Sequence, residues 1–283
     1  MLYSALIGHP VGHSVSPVLF NYLAKQVNLE YSHLKIDLST KNKLKSGLKS
    51  LSELEFCGIN VTLPYKLDIM KYLNSINREA KKIGAVNTIT FKKGKIIGHN
   101  TDAEGALMAI EFKLKPINSD DRVLILGSGG AARAIAFALY QKTKKIIIVS
   151  RNVSEAKILS FDISQGKIVY KKLTDYNIKE QLELATVVIN ATPIGMHPDK
   201  GEIINRSIWK KVNVKNKVFF DAIFNPYMTS FLKMAESNGA RVCSGMYMMI
   251  FQAITAFSLW TGAKLSNIKI EEINDILKKT LLD

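Results

Sequence analysis

The sequence predicts an α/β fold with two units, the first built on a mostly parallel sheet. Three observations predict it. Over the first hundred of the 283 residues, short apolar runs alternate with helix-period segments. That spacing implies parallel strands joined by crossover helices. Near residue 123 a strand-length run, Val123-Leu124-Ile125-Leu126, meets a glycine turn and then a string of helix formers, Ala134 to Leu139. Beyond it, strand-like runs and helical segments alternate as far as Asp221. At 47% hydrophobic and 22% charged, the chain has the composition of a globular protein with a sizeable core.

The elements follow in order. Tyr3–Ile7 reads as a strand. Pro17–Val27 reads as a helix, because proline fits the first helical position and Ser16 before it suits an N-cap. Tyr31–Ile36 is a strand and Lys41–Leu51 a helix. Gly58–Leu63 is a strand, with a short helix near Lys66–Tyr72. Val86–Phe91 and Lys95–Gly98 form a hairpin around Lys93-Gly94. A helix from Asp102 to Phe112 bridges to the second unit. There Val123–Leu126, Ile146–Val149, Ile168–Tyr170, Val187–Asn190 and Val218–Asp221 read as strands, with Pro, Gly and Asn punctuating their ends. Two helices close the chain, Met246–Trp260 and Ile270–Leu281.

The glycine turn carries the first functional signal. Gly127, Gly129 and Ala132 occupy the positions of G-x-G-x-x-A, with Ser128, Gly130 and Ala131 between them. Between a strand and a helix start, this pattern lets backbone approach a pyrophosphate at a helix N-terminus. No Lys-Ser or Lys-Thr follows, which excludes a Walker-type phosphate loop. The next strand ends in Ser150-Arg151-Asn152. An NAD-binding unit places Asp or Glu about here for the ribose 2′-hydroxyl. A guanidinium instead forks onto a phosphate, so the residues read as an NADP(H) site.

Other classes are disfavoured. The net charge is +15, yet only six of the 39 basic residues are Arg, and the lysine clusters are not interleaved with aromatics. Nucleic-acid readers favour Arg forks and stacking platforms, so the charge reads as a solvated surface that also steers anionic ligands. Gly245 to Gly262 carries no formal charge, but Gln252 sits mid-stretch and the flanks give no sidedness. It reads as a buried helix rather than a membrane span. Cys57 and Cys243 make neither a disulfide framework nor a metal cluster. With no signal peptide read at the N-terminus, a reducing cytoplasmic setting is expected.

Polar residues gather at strand ends in the first hundred positions. Ser14 and Ser16 stand before a helix, where they suit either capping or a carboxylate ligand. Asn60 and Thr62 share one face of a strand, and Lys66 lies just past Pro64. Asn87-Thr88 follows Gly84-Ala85-Val86. Asn100-Thr101-Asp102 ends the hairpin and places an acid in the next helix's first turn. The strings Ser14-Val15-Ser16-Pro17, Asn60-Val61-Thr62-Leu63-Pro64-Tyr65-Lys66, Gly84-Ala85-Val86-Asn87-Thr88 and Asn100-Thr101-Asp102 resemble those of the shikimate dehydrogenase family. So do Gly127 to Ala132, Asn190-Ala191-Thr192-Pro193-Ile194-Gly195-Met196, and Gln252-Ala253 through Gly262. They occur in family order and spacing over nearly the whole chain.

The resemblance implies reversible NADPH-linked reduction of 3-dehydroshikimate to shikimate, a step of aromatic amino acid biosynthesis. It implies a substrate domain of residues 1–102 and 241–283, to which the C-terminal helices return, and a Rossmann-like NADP-binding domain of 103–240. Ser14 and Ser16 would hold the substrate carboxylate. Thr62, Lys66, Asn87, Asp102 and Gln252 would meet the ring hydroxyls, with Lys66 and Asp102 as the catalytic pair. Gly127, Ser128, Gly129, Gly130 and Ala131 would take the cofactor phosphates. Ser150, Arg151 and Asn152 would take the 2′-phosphate, while Ala222 and Gly245 would line the nicotinamide. No metal is implied, and the family includes monomers and homodimers.

The chain departs from the family pattern at three positions. Phe224 replaces a usual Tyr, which keeps the ring but loses a hydroxyl that would reach substrate. Glu155 stands where a basic residue is usual, leaving the 2′-phosphate mostly to Arg151. Ala103 replaces a usual Gly. Two alternatives follow: an NAD-preferring quinate/shikimate dehydrogenase, and a non-catalytic dinucleotide sensor. The sensor is disfavoured because Lys66 and Asp102 are both retained.

Overall fold

A computed structural model of the chain describes residues 1–198 and 201–281. It divides into two compact units, Met1–Thr101 with Gln252–Asp283, and Asp102–Phe251.

The first unit contains strands β1 (Leu2–Gly8), β2 (Tyr31–Asp37), β3 (Gly58–Val61), β4 (Ser75–Ile76), β5 (Thr88–Lys92) and β6 (Lys95–His99). They form one sheet in the order β2-β1-β3-β5-β6-β4. β1 pairs in parallel with β2 and β3, and β4 with β6, whereas β5 runs antiparallel to β3 and β6. The β5–β6 hairpin turns at Lys93-Gly94, both with positive φ. That conformation suits a two-residue turn matched to the strand twist.

The sheet is covered on both faces. Helix α2 (Lys43–Glu53) buries Leu44, Leu48 and Leu51, one stripe at helical spacing. This stripe packs with Ala5, Ile7, Ile59, Val61 and Tyr65. Residues alternate faces along a strand, so Ser4 and Leu6 point the other way. On that side Ser4 Oγ bonds the Tyr31 hydroxyl and lies 2.6 Å from His33 Nδ1. The His33 ring stacks on Phe20 of helix α1 (Ser16–Gln26), with centroids 4.2 Å apart, and on Trp260.

Trp260 also explains a glycine at the start of a central strand. Its indole Nε1 donates to Ile89 O at 2.9 Å, and a Cβ built on Gly58 would lie 2.1 Å from that nitrogen. Gly58→Ala should therefore overpack the sheet, by about 1–3 kcal/mol or more. The thermal midpoint should fall about 2–4 °C per kcal/mol. An unchanged midpoint in a melting scan would refute the packing argument.

The second unit holds β7 (Val123–Leu126), β8 (Ile146–Ser150), β9 (Val169–Lys172), β10 (Val187–Asn190), β11 (Val218–Asp221) and β12 (Arg241–Cys243). They form an all-parallel sheet in the order β12-β11-β10-β7-β8-β9. β7, β10 and β11 are buried along their whole length, as expected of strands covered on both faces. The expected return to the first domain at residue 241 shifts, because Arg241–Cys243 pairs with β11 as an edge strand. The division falls after Phe251, inside the helix Gly245–Thr261, and Asp102 opens helix α4 (Asp102–Lys113) of the second unit.

Element ends differ from expectation by a few residues elsewhere. The helix expected near Lys66–Tyr72 is a single 3-10 turn at Asp68–Tyr72. β4, β12 and helix α3 (Arg78–Ile83) have no counterpart among the predicted elements. Among the described residues, no helix is long and apolar enough to cross a membrane.

Candidate active site

In the second unit the chain leaves β7 for β8 and β9 on one side, then crosses to β10, β11 and β12 on the other. The order reverses between β7 and β10, and open α/β sheets bind ligands outside the carboxyl ends of the strands at such a point. β7 is followed there by Gly127, whose φ is +112°. A Cβ on it would lie 2.9 Å from Ala191 O in the loop after β10. Only glycine permits that backbone and that approach.

Two residues on, Gly129 is exposed, and a Cβ there would find no heavy atom within 4 Å. Helix α5 (Gly130–Tyr140) begins immediately, with no side chain capping it. Its first-turn N–H groups and dipole end are thus available to an anion beside open space. The turn fits a dinucleotide pyrophosphate. Ser128 and Gly130 are buried and Ala131 half-buried around it.

The tip of β8 supplies the next group. Ser150 ends the strand, buried, with its Oγ 2.8 Å from Ser128 Oγ and accepting Asn152 N–H at 3.2 Å. Asn152 caps helix α6 (Val153–Ser164) by accepting Glu155 N–H at 3.1 Å. Arg151 is exposed at this corner. The neighbouring Arg133, by contrast, is buried on α5 and paired with Asp162. Arg151 is therefore the guanidinium at this strand end that faces solvent, as a phosphate ligand must.

The loops on the other side of the crevice are held by a buried network that sequence reasoning missed. Asn190 Nδ2 donates to Asp221 Oδ1 at 3.1 Å, and Asn190 Oδ1 accepts from the Thr192 hydroxyl at 2.7 Å. Asp221 also accepts Ile223 N–H at 3.0 Å and the Thr229 hydroxyl at 2.7 Å. It is fully buried, and burial pushes its carboxyl up to about 7 against those three donors. The network fixes the turn carrying Ala222 and the half-buried Phe224, and Gly245 N–H joins the same turn by donating to Ile223 O at 3.1 Å. Polar residues ending two otherwise apolar strands, Asn190 and Asp221, were the available signal.

The first unit gathers a second polar cluster at the carboxyl ends of β1 and β3. Ser14 Oγ donates to Ser16 Oγ at 3.1 Å and accepts Ser16 N–H at 3.2 Å. The N-cap of α1 is Val15, not Ser16 as expected, because the helix already includes Ser16. The two hydroxyls are adjacent, an arrangement able to donate to a carboxylate. Thr62 follows β3, its N–H bonded to Ile7 O at 2.9 Å. Lys66 is half-buried after the buried Tyr65, and its carbonyl accepts Val86 N–H at 2.8 Å. That bond ties the lysine backbone to the loop that carries Asn87 into β5. Buried Asn87 donates to Thr101 Oγ1 at 3.0 Å and to Gln252 Oε1 at 3.4 Å.

Ser14, Ser16, Thr62, Lys66, Asn87 and Gln252 thus all belong to the first unit. Asp102 is the first residue of α4, buried, with Glu104 in the same turn. It belongs to the second unit, as does Phe224.

Residues 6–89 match the family model of the shikimate dehydrogenase substrate binding domain, and residues 111–226 match that of shikimate / quinate 5-dehydrogenase. The chain belongs to the shikimate dehydrogenase family. A shikimate dehydrogenase (NADP(+)) of Methanococcus maripaludis strain C7 is 40% identical over 259 residues, which is 92% of this chain and 91% of the relative. Among solved structures, a shikimate dehydrogenase in complex with NADP+ superposes with a TM-score of 0.86 at 35% identity. The alignment covers 100% of this chain and 95% of that one. The Thermus thermophilus enzyme in complex with NADP(H) and shikimate gives 0.86 at 30% identity, covering 99% and 100%.

Proposed function

We propose that this chain catalyses the reversible NADPH-linked reduction of 3-dehydroshikimate to shikimate. The observation that carries the reading is the crevice at β7 and β10. An uncapped helix start lies beside open backbone at Gly129, and an exposed Arg151 stands at the tip of β8 in place of an acid. NADPH, when bound, supplies the hydride. Gly127 to Ala131 hold its phosphates, Ser150, Arg151 and Asn152 its 2′-phosphate, and Ala222 and Gly245 line the nicotinamide end.

Ser14 and Ser16 donate to the substrate carboxylate. Thr62, Asn87 and Gln252 orient the ring, and the half-buried ring of Phe224 contributes an apolar wall without a hydroxyl. Hydride addition to a carbonyl builds negative charge on its oxygen. The Lys66 ammonium stabilises that charge and handles the proton, and Asp102 is the second catalytic group, an acid. The adjacent serine hydroxyls of the first unit and the family's substrate-domain match over 6–89 support this assignment. The two thiols, neither of them in a disulfide, accord with a reducing cytoplasm.

Initial rates of shikimate and quinate oxidation with NADP+ and with NAD+ test the reading. The fastest turnover at equal substrate is expected for shikimate with NADP+. No turnover of shikimate with either nucleotide would overturn it, and quinate with NAD+ as the best pair would replace it with the quinate reading.

A further inference from the structure

We propose that Glu155 is a second ribose-reading residue, opposed to Arg151, which makes the site accept NAD(H) as well as NADP(H). The inference rests on the dinucleotide reading of the β7–β10 crevice.

Glu155 lies in the first turn of α6, its backbone N–H pinned by Asn152 Oδ1 at 3.1 Å. Its carboxylate reaches back to the glycine turn, where Oε2 accepts the Ser128 hydroxyl at 3.2 Å. Ser128 in turn meets Ser150 at the tip of β8. The acid therefore bridges the helix start and the phosphate turn, across the strand end where a dinucleotide places its adenosine ribose. NAD-binding units hold the ribose 2′-hydroxyl with a carboxylate at the strand tip itself. This chain has Ser150 and Arg151 there, and the carboxylate arrives instead from 155.

The two cofactors meet these groups differently. A 2′-hydroxyl donates to the Glu155 carboxylate and leaves Arg151 in solvent. A 2′-phosphate is forked by Arg151 but faces the Glu155 charge. Two unit charges a few ångströms apart at an exposed site change affinity by about tenfold, less in high salt. The preference for NADP(H) is consequently narrowed without being reversed. A carboxylate in the first turn also favours the helix dipole, a role that affects stability alone.

Affinities of the full-length chain for NADP+ and NAD+, measured by titration calorimetry at low salt, separate these roles. Glu155→Gln keeps the side-chain shape and the Asn152 cap. It should tighten NADP+ binding about tenfold and weaken NAD+ binding about threefold, through loss of a charge-assisted hydrogen bond. The NADP+ gain should shrink in high salt. Arg151→Gln should move the pair oppositely, weakening NADP+ while leaving NAD+ nearly unchanged. If E155Q leaves both affinities as they were and only lowers the melting temperature, Glu155 is a helix-start acid and the proposal fails. If R151Q also leaves NADP+ affinity unchanged, the reading of the crevice fails with it.

Discussion

Lys66→Ala should lower turnover of shikimate with NADP+ by about 10²–10⁴-fold, the usual worth of a positioned proton-transfer group. NADP+ affinity should stay near that of the parent chain. The expectation follows from where the residue is carried. Its backbone is tied to Val86 within the first unit, whereas the glycine turn, the β8 tip and Arg151 belong to the second. Removing the amine deletes no group proposed to hold the cofactor. It also leaves Ser14, Ser16 and Asn87 in place, so KM for shikimate should change far less than kcat. That split identifies an interaction made chiefly in the transition state. Near-normal turnover would remove Lys66 from the chemistry. A fall in NADP+ affinity matching the loss of rate would mean that the substitution had damaged the fold.

The second large effect is a pH response of opposite sign in the two units. His33 is buried against Phe20 and Trp260, its Nε2 has no hydrogen-bond partner among the described residues, and burial pushes its imidazole down to about 3. Below about 6.5 the unfolded chain takes up a proton that the folded first unit refuses. Stability there is lost as pH falls from about 6.5 toward 3, by on the order of a few kcal/mol. Asp221 behaves inversely. Its carboxyl is raised to about 7, so between about 4 and 7 the folded second unit holds a proton that the unfolded chain has released. Stability there is lost as pH rises through that window.

Hydrogen exchange measured at pH 7 and pH 5 should therefore show core amides of β1 and β3 less protected at the lower pH. Those of β10 and β11 should be better protected, once intrinsic exchange rates are divided out. Asp221→Asn should flatten the second response. Its Oδ1 can still accept from Asn190 and Ile223, while its Nδ2 donates to a Thr229 hydroxyl that accepts in turn. If the parent chain and D221N show the same pH slope in the second unit, the carboxyl is excluded as the cause.

Much of this was readable from the chain. The glycine turn announced itself because phosphate binding requires small residues at fixed offsets between a strand and a helix. The longer strands and helices were legible for a different reason, the period of their apolar residues. Short elements escaped: β4 has two residues and β12 three, too few to display a period. Helix α3 carried its own marks, an Asn77 cap and Gly84 in the left-handed conformation, but only Ala80 and Ile83 are buried along it. The Asn190–Asp221 network spans 31 positions, and Asn87 meets Gln252 across 165. No local pattern joins such partners; family resemblance alone pointed to Gln252. Glu155 stood out as a departure, but its reach to Ser128 depends on the turn of α6.

The first unit is discontinuous along the chain, and this bears on its birth at the ribosome. Gly58 emerges about 200 residues before the indole of Trp260 that closes over it. At about 5–20 residues per second, synthesis leaves that side of the sheet only partly covered for roughly 10–40 s. The inserted second unit is complete before the first has its last wall. In the interval Phe20 and Tyr31 lack the aromatic partners, Trp260 and Phe257, that cover them in the finished protein. A nascent chain stalled before residue 252 would thus carry a finished nucleotide crevice and a half-built, sticky sheet, the form on which a chaperone would be expected to act.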